Sequence, residues 1–176
     1  MTCYLPRELK VSPCSLAEEL LIHGFNVIIH GRTPSKVTRV VEEFRKLYPE
    51  RQIEFVIADL SRLEDVPNIV SAVSDKNVTV FINNAGATDR AFVLFSEMPQ
   101  SEVERTLNVG VMFTTRLIHQ TLPILEKNAP AVMVNVGSQS CEVPVPYVSL
   151  YAASKGFLRV SLIEPQSYSS DAQFHS

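Results

Sequence analysis

Val78-Thr79-Val80-Phe81-Ile82-Asn83-Asn84-Ala85-Gly86 is the stretch on which the fold turns. Its first five residues form an unbroken apolar and β-branched run, the pattern of a strand covered on both faces. The run stops at two asparagines, an alanine and a glycine, which are turn-forming or small. The same pattern occurs three more times. Phe25 to His30 is an apolar run that ends at Gly31-Arg32. Ile53 to Ala58 ends at Asp59. Residues 131–136, with Val132-Met133-Val134-Asn135-Val136, read as a buried strand followed at once by Ser138.

Helical patterns separate these runs. Leu16, Leu20 and Leu21, with Glu18 and Glu19 between them, read as the later part of an amphipathic helix that Gly24 closes in the left-handed conformation. Thr33-Pro34 supplies an N-cap and a first-turn proline. Val37, Val40, Val41, Phe44 and Leu47 then make a stripe up to Tyr48-Pro49. Ser61 is expected to cap the next helix, which turns Leu63, Val66, Ile69, Val70 and Val73 inward. Residues 87–100 read as a connecting loop and 101–125 as a long helix passing Asn108 and Gly110. A last helix around Tyr151 runs to about Ile163. Short apolar strands alternating with amphipathic helices predict an α/β fold, a doubly wound parallel sheet with helices on both faces. Residues 1–15 are irregular, 16–163 form one domain, and 164–176 are a polar tail.

In such a sheet the strand ends carrying Gly31-Arg32, Asp59, Asn83 to Gly86 and Ser138 lie along one edge, where ligands bind. Tyr151 and Lys155, at i and i+4, share one helix face and bring a phenol and an ammonium to one small volume. A free tyrosine titrates near pH 10, and a cation beside a phenol favours the phenolate. A hydroxyl just past a strand end, Ser138, can hold a substrate oxygen while the tyrosine moves a proton.

The 176 residues are 45% hydrophobic and 20% charged, an ordinary globular composition sufficient for one core. A net charge of -3 does not point to nucleic acid. No apolar run approaches the roughly 20 residues of a membrane span, and Met1 to Cys14 lacks the apolar segment of a signal peptide. Cys3, Cys14 and Cys141 are scattered and odd in number, which suggests reduced thiols in an intracellular protein. His23, His30, His119 and His175 show no ligand spacing, so no metal site is expected. Gly137-Ser138-Gln139-Ser140 lacks the last glycine of a nucleophile elbow, and no histidine–carboxylate pair is evident.

Taken together, these motifs resemble the short-chain dehydrogenase/reductase family over residues 16–163. Asn83-Asn84-Ala85-Gly86 matches the family motif after the fourth strand, and Ala58-Asp59-Leu60-Ser61 the segment that meets the adenine ring. Asn108, Ser138, Tyr151 and Lys155 match the catalytic tetrad. The resemblance implies a Rossmann-like fold and hydride transfer between NADP and a carbonyl, with Tyr151 as proton donor. Lys155 would bind the nicotinamide ribose, Ser138 the carbonyl oxygen, and Asn108 a relay water. Arg32, Asp59, Asn83, Ala85, Gly86, Tyr151 and Lys155 would contact the cofactor. Other readings stand beside these: Asn108 as an interior amide or helix bend, Asp59 as a turn residue, Arg32 as a solvated cation with Lys36 or Arg39 supplying the charge.

The text from Leu16 to Lys36 is similar to the branch of very-long-chain 3-oxoacyl-CoA reductases and 17β-hydroxysteroid dehydrogenases. That implies a small-molecule, lipid-like carbonyl or alcohol substrate. It also implies a cytoplasmic protein that can associate with the endoplasmic reticulum, and a homo-oligomer built through helices 101–125 and 147–163.

The chain departs from the family at both ends. Family members open with a first strand and a glycine-rich turn against the pyrophosphate; here no glycine precedes Gly24. After the Tyr151 helix, the family's next strand and nicotinamide-covering segment have no counterpart. The expected fold is therefore incomplete, as in a fragment. In the order 3-2-1-4-5 the first strand is central. Cys3 to Val11 would have to replace it, but Pro6 has no N–H and Arg7, Glu8 and Lys10 would be buried. Two outcomes are expected: a carbonyl reductase, or a catalytically inactive remnant that acts by binding another protein.

Overall fold

The computed structural model describes residues 13–86, 93–143 and 145–160. Ten regular elements follow in order: α1 (Pro13–Ile22), β1 (Val27–Gly31), α2 (Pro34–Leu47), β2 (Ile53–Ile57), α3 (Val66–Val73), β3 (Val80–Asn83), α4 (Gln100–Leu107), α5 (Phe113–Lys127), β4 (Val132–Asn135) and α6 (Ser149–Val160). The alternation is the one the sequence predicts. The polar tail and residues 87–92 lie outside the described residues.

The strands form two separate parallel pairs among the described residues, β1 with β2 and β3 with β4. Val27 faces Ile53 and Gly31 faces Ile57; Val80 faces Val132 and Asn83 faces Asn135. Among the described residues no strand joins the two pairs, which is consistent with an incomplete Rossmann-like fold.

Two apolar layers hold the elements. On one face α1 and α2 cover the first pair through Leu21, Val27, Val37, Val41, Phe44 and Ile53. On the other, α3 and α5 pack Val66, Ile69, Phe113 and Leu117 with Ala58, and reach Val56 of β2 and Phe81 of β3. That second layer bridges the halves. Gly24 closes α1 as predicted: at φ 92° it occupies the left-handed region, and Phe25 N–H donates to Leu20 O.

Four expectations need correction. Thr33 stands at the N-cap of α2, but its side chain makes no capping bond; its carbonyl accepts from Lys36 and Val37 instead. Ser61 caps no helix, because Asp59 Oδ1 captures both its N–H and its hydroxyl, and α3 starts later, after a 3-10 turn at Leu63–Asp65. The strand at 132–135 is not buried: Val132 and Val134 are 46% and 40% exposed, since no described element covers that face. Cys14 is disulfide-bonded, against the reduced state expected, whereas Cys141 carries a free thiol.

The predicted helix 101–125 is two helices joined by a π-helical turn at Asn108–Met112, in which Phe113 N–H reaches back to Asn108 O. Gly110 explains it. A Cβ at Gly110 would lie 2.7 Å from the Cβ of Ser154, so α6 touches backbone here.

Candidate active site

The site is built where α6 crosses the end of the β3–β4 pair. Lys155 is 3% exposed, and its Nζ donates to Ala85 O at 2.7 Å and Val136 O at 2.8 Å. One carbonyl follows β3 and the other follows β4, so a single ammonium ties both strand ends to the helix. Burial holds this ammonium below the usual lysine range, with Cys141 acting in the opposite sense. Gly86 closes the corner: a Cβ there would sit 3.0 Å from Lys155 Cε and 3.3 Å from Tyr151 Cε2. The sequence needs glycine at this position for contact, with no positive φ involved.

Tyr151 lies one turn before Lys155 on α6 and is half-buried. Its carbonyl accepts from the buried Ser154 hydroxyl at 2.7 Å, which fixes this turn of the helix against Gly110. Tyr151, Lys155, Ala85 and Gly86 are thus brought together. Ser138 lies just past β4 with extended backbone, and its Oγ accepts from Ser140 N–H and sits 2.9 Å from Ser140 Oγ. It lines a cavity of about 590 Å³ with Asn135, Gly137, Gln139, Cys141 and Arg159.

Asn83 is buried and structural in its contacts. Its Nδ2 donates to Asn135 Oδ1 at 3.0 Å, and its Oδ1 accepts from Ala85 N–H. It locks the register of β3 and β4 at the edge where Lys155 arrives. Asn108 Nδ2 donates to Ser61 O at 3.2 Å, linking the π turn to the segment after β2. The structure therefore gives Asn108 the interior-amide contact that stood as its other reading.

Arg32 and Asp59 stand at the ends of the paired strands β1 and β2. Burial pushes the Asp59 carboxyl up, but the N–H and hydroxyl of Ser61 and the Arg32 charge outweigh it and hold it low. Asp59 also closes its own turn, with its N–H donating to Asp65 Oδ2 at 2.8 Å. Arg32 is exposed and free to reach an anion.

Three contributors escaped the sequence reading: Ser154, Asn135 and the carbonyl of Val136. Asn135 carried a signal, a polar residue at the end of an apolar run, in register with Asn83. The other two had none, since their roles depend on where α6 lands.

An NADP molecule fits this arrangement at its two ends only. The Lys155–Tyr151–Gly86 corner suits a nicotinamide ribose and the Arg32–Asp59 pair an adenosine end. Between them α1 starts at Pro13 with no glycine before Gly24, so the close backbone approach that a pyrophosphate requires is absent from these residues.

The short chain dehydrogenase family pattern matches residues 14–162. The chain belongs to that family. It is similar to the very-long-chain 3-oxoacyl-CoA reductase of Emericella nidulans, with 28% identity over 77% of this chain and 40% of the relative. It is equally similar, at 28% over 81% of this chain and 43% of the relative, to the inactive hydroxysteroid dehydrogenase-like protein 1 of Rattus norvegicus. The chain thus spans about two fifths of the length of these curated relatives. Among solved structures, a 7beta-hydroxysteroid dehydrogenase superposes with a TM-score of 0.74 at 22% identity, over 82% of this chain and 56% of that one. A 3-oxoacyl (acyl-carrier-protein) reductase from Agrobacterium tumefaciens with NADP bound gives 0.71 at 24%, over 81% and 54%. These likenesses establish the Rossmann-like fold. Among the described residues, no helix is long and apolar enough to cross a membrane and no group of side chains could hold a metal ion.

Proposed function

We propose that this chain carries the carbonyl-handling half of an NADP-dependent short-chain reductase, acting on a lipid-like 3-oxoacyl or steroid-like carbonyl. The observation that carries the reading is the Lys155 ammonium held by Ala85 O and Val136 O, one helical turn from Tyr151 and in contact with Gly86. A cation close to a phenol favours the phenolate, which suits a tyrosine to proton transfer at a carbonyl oxygen. Tyr151 gives its proton to the carbonyl oxygen, Ser138 positions that oxygen, and Asn108 steadies the π turn behind them. NADPH is the reductant this residue set suits, with Arg32 the partner of its 2′-phosphate. The 176 residues alone bind it more weakly than micromolar, because no glycine before Gly24 allows the close backbone approach of a phosphate turn. Exposed Leu107 and Met112, on α4 and the π turn, support homo-oligomer formation through this helical region.

The test is a chimera in which a strand and glycine-rich turn precede Pro13 and a relative's C-terminal segment follows residue 163. NADPH oxidation by a 3-oxoacyl-CoA is expected. Tyr151→Phe should remove it while the thermal transition stays in place, and Arg32→Ala should weaken NADPH far more than NADH. Full turnover by Tyr151→Phe overturns the assignment.

The second reading is an inactive chain that works by binding another polypeptide. The observation favouring it is that the described strands form two separate pairs, and it gains support from the similarity to a relative named inactive.

A further inference from the structure

Ser138 is gripped by the 3-10 turn that follows it, Gln139–Cys141. Its carbonyl accepts from the Cys141 N–H at 3.1 Å and from the Cys141 thiol at 2.8 Å. Its Oγ caps the turn by accepting from the Ser140 N–H at 3.3 Å. The Ser140 hydroxyl meets the same oxygen at 2.9 Å. Among the described residues Ser140 Oγ has no other hydrogen-bond partner. One residue thus brings both its backbone and its side chain to Ser138 Oγ.

A serine hydroxyl has one hydrogen to give and two lone pairs that accept. The Ser140 N–H takes one lone pair of Ser138. The contact between the two hydroxyls then has two forms. In the first, Ser140 donates. Both lone pairs of Ser138 are filled, and its hydrogen is all that it can offer to a third group. In the second, Ser138 donates to Ser140 and offers a lone pair. The first form makes Ser138 a donor and the second makes it an acceptor.

A carbonyl oxygen tells these forms apart. It carries no proton and can only accept. Against the second form, lone pairs would face lone pairs and neither oxygen would be satisfied. Against the first, the carbonyl receives the Ser138 hydrogen. It then ends a chain that runs from the Ser140 O–H through the Ser138 O–H, and each donor in such a chain polarises the next. Negative charge that develops on the oxygen during reduction strengthens the same bond.

We propose that Ser140 is a positioning residue: its hydroxyl donates to Ser138 Oγ and so commits the Ser138 hydroxyl to donation toward an acceptor-only oxygen, that of a ketone or a 3-oxo group. The inference rests on the carbonyl role given to Ser138 above. Ser140 acts through Ser138 and touches no substrate atom.

The probe is cyclohexanone labelled with carbon-13 at its carbonyl, titrated into the full 176-residue chain. Hydrogen-bond donation to the oxygen moves the carbonyl resonance downfield. Ser138→Ala should weaken binding about fivefold and move the bound resonance upfield, on the scale of one neutral hydrogen bond. Ser140→Ala should weaken binding about threefold and move the resonance in the same direction. Ser140→Thr keeps the hydroxyl and should restore both. In the Ser138→Ala background, Ser140→Ala should change neither, a dependence that a residue shaping only the turn would not show. Should Ser140→Ala fail to fold, Ser140→Cys, a weak donor of similar size, replaces it with the same expected result. If Ser138→Ala changes affinity and resonance but Ser140→Ala does not, the inference falls and the carbonyl role of Ser138 stands. Additive losses in the double variant also overturn it, because Ser140 then acts without Ser138. If the ketone does not bind, or binds Ser138→Ala as it binds the unaltered chain, the carbonyl role of Ser138 falls and the inference falls with it.

Discussion

The two halves of this molecule are held together by different chemistry. The β1–β2 half is a packed apolar unit: Leu21 and Val41 are each 1% exposed, and Phe44 lies edge-on to Tyr48 with ring centres 6.3 Å apart. Its ligand-edge residues, Arg32 and Asp59, sit on loops outside that core. The β3–β4 half has the reverse arrangement. Its strands are short and one face is uncovered among the described residues, yet its candidate site residues Lys155 and Asn83 are buried and tied by polar bonds, Lys155 to two carbonyls and Asn83 to Asn135. Stability and chemistry are thus concentrated in opposite halves. Damage to one should be separable from damage to the other, apart from the α3–α5 layer they share.

Phe44→Ala should break the comparison most severely. It removes a 5%-exposed ring from the α1–α2 layer, and large-to-small changes at such sites cost about 3–5 kcal/mol. A loss of that size is a large share of the stability of any domain this small. Chemical denaturation should show it. Hydrogen exchange should rise first in β1 and β2, and later, if at all, at Lys155. Simultaneous loss in both halves would mean that the bridging layer makes them one cooperative unit.

Gly110→Ala attacks the other half. The new Cβ would press on Ser154 Cβ at 2.7 Å, and overpacking of this kind costs about 1–3 kcal/mol. Relief requires α6 to move, which carries Tyr151 and Lys155 with it. The expected result is a moderate fall in stability together with a large loss of activity in the chimera described above. Adding Ser154→Ala should not rescue either property, because it leaves the carbon–carbon contact in place.

That contact also shows what the sequence could and could not disclose. The strand ends were legible because a β-branched run followed by Asn83-Asn84-Ala85-Gly86 or Gly31-Arg32 is a local pattern. Tyr151 and Lys155 were legible because helical spacing alone puts them on one face. The π turn was not, since Asn108 to Met112 reads as ordinary helix until Ser154, 44 positions after Gly110, is packed on it. The exposure of Val132 and Val134 was invisible for the same reason: an apolar run states what a strand could bury, while its neighbours decide what is buried. Asp59 illustrates the intermediate case, where both the turn role and the place on the ligand edge were foreseen and the structure shows the turn bonds.

A pH titration probes the seam between the halves. His30 lies on β1, and its ring Nε2 is 3.0 Å from Ala58 O. Burial lowers its pKa below 6.5, outweighing the opposing pull of the Ala58 carbonyl, Asp59 and Asp65. Between the two pKa values the unfolded chain binds more protons than the folded one. Stability should therefore be intact above pH 6.5 and decline as pH falls below it, until the folded-state pKa is passed. For one proton the slope cannot exceed about 1.4 kcal/mol per pH unit. His30→Gln should flatten this part of the profile, and a profile unchanged by the substitution would show that another group titrates there.

Thr33→Ala should have the smallest effect, and it sharpens the comparison by isolating what α2 owes to packing. A threonine at an N-cap ordinarily contributes through its side chain, and its loss costs about 0.5–2 kcal/mol. Here the Thr33 side chain makes no such bond. The first turn of α2 is set by Pro34, whose fixed φ suits a helix start, and by the Thr33 carbonyl, which accepts from Lys36 and Val37 at 3.1 Å each. Alanine keeps that carbonyl. The helix is then anchored by Val37, Val41 and Phe44 rather than by its cap. The expected change is within about 0.5 kcal/mol, the range of surface substitutions away from special features. A loss above about 1 kcal/mol would show that the hydroxyl does cap α2 in solution, and that the first half relies on a polar device as the second half does.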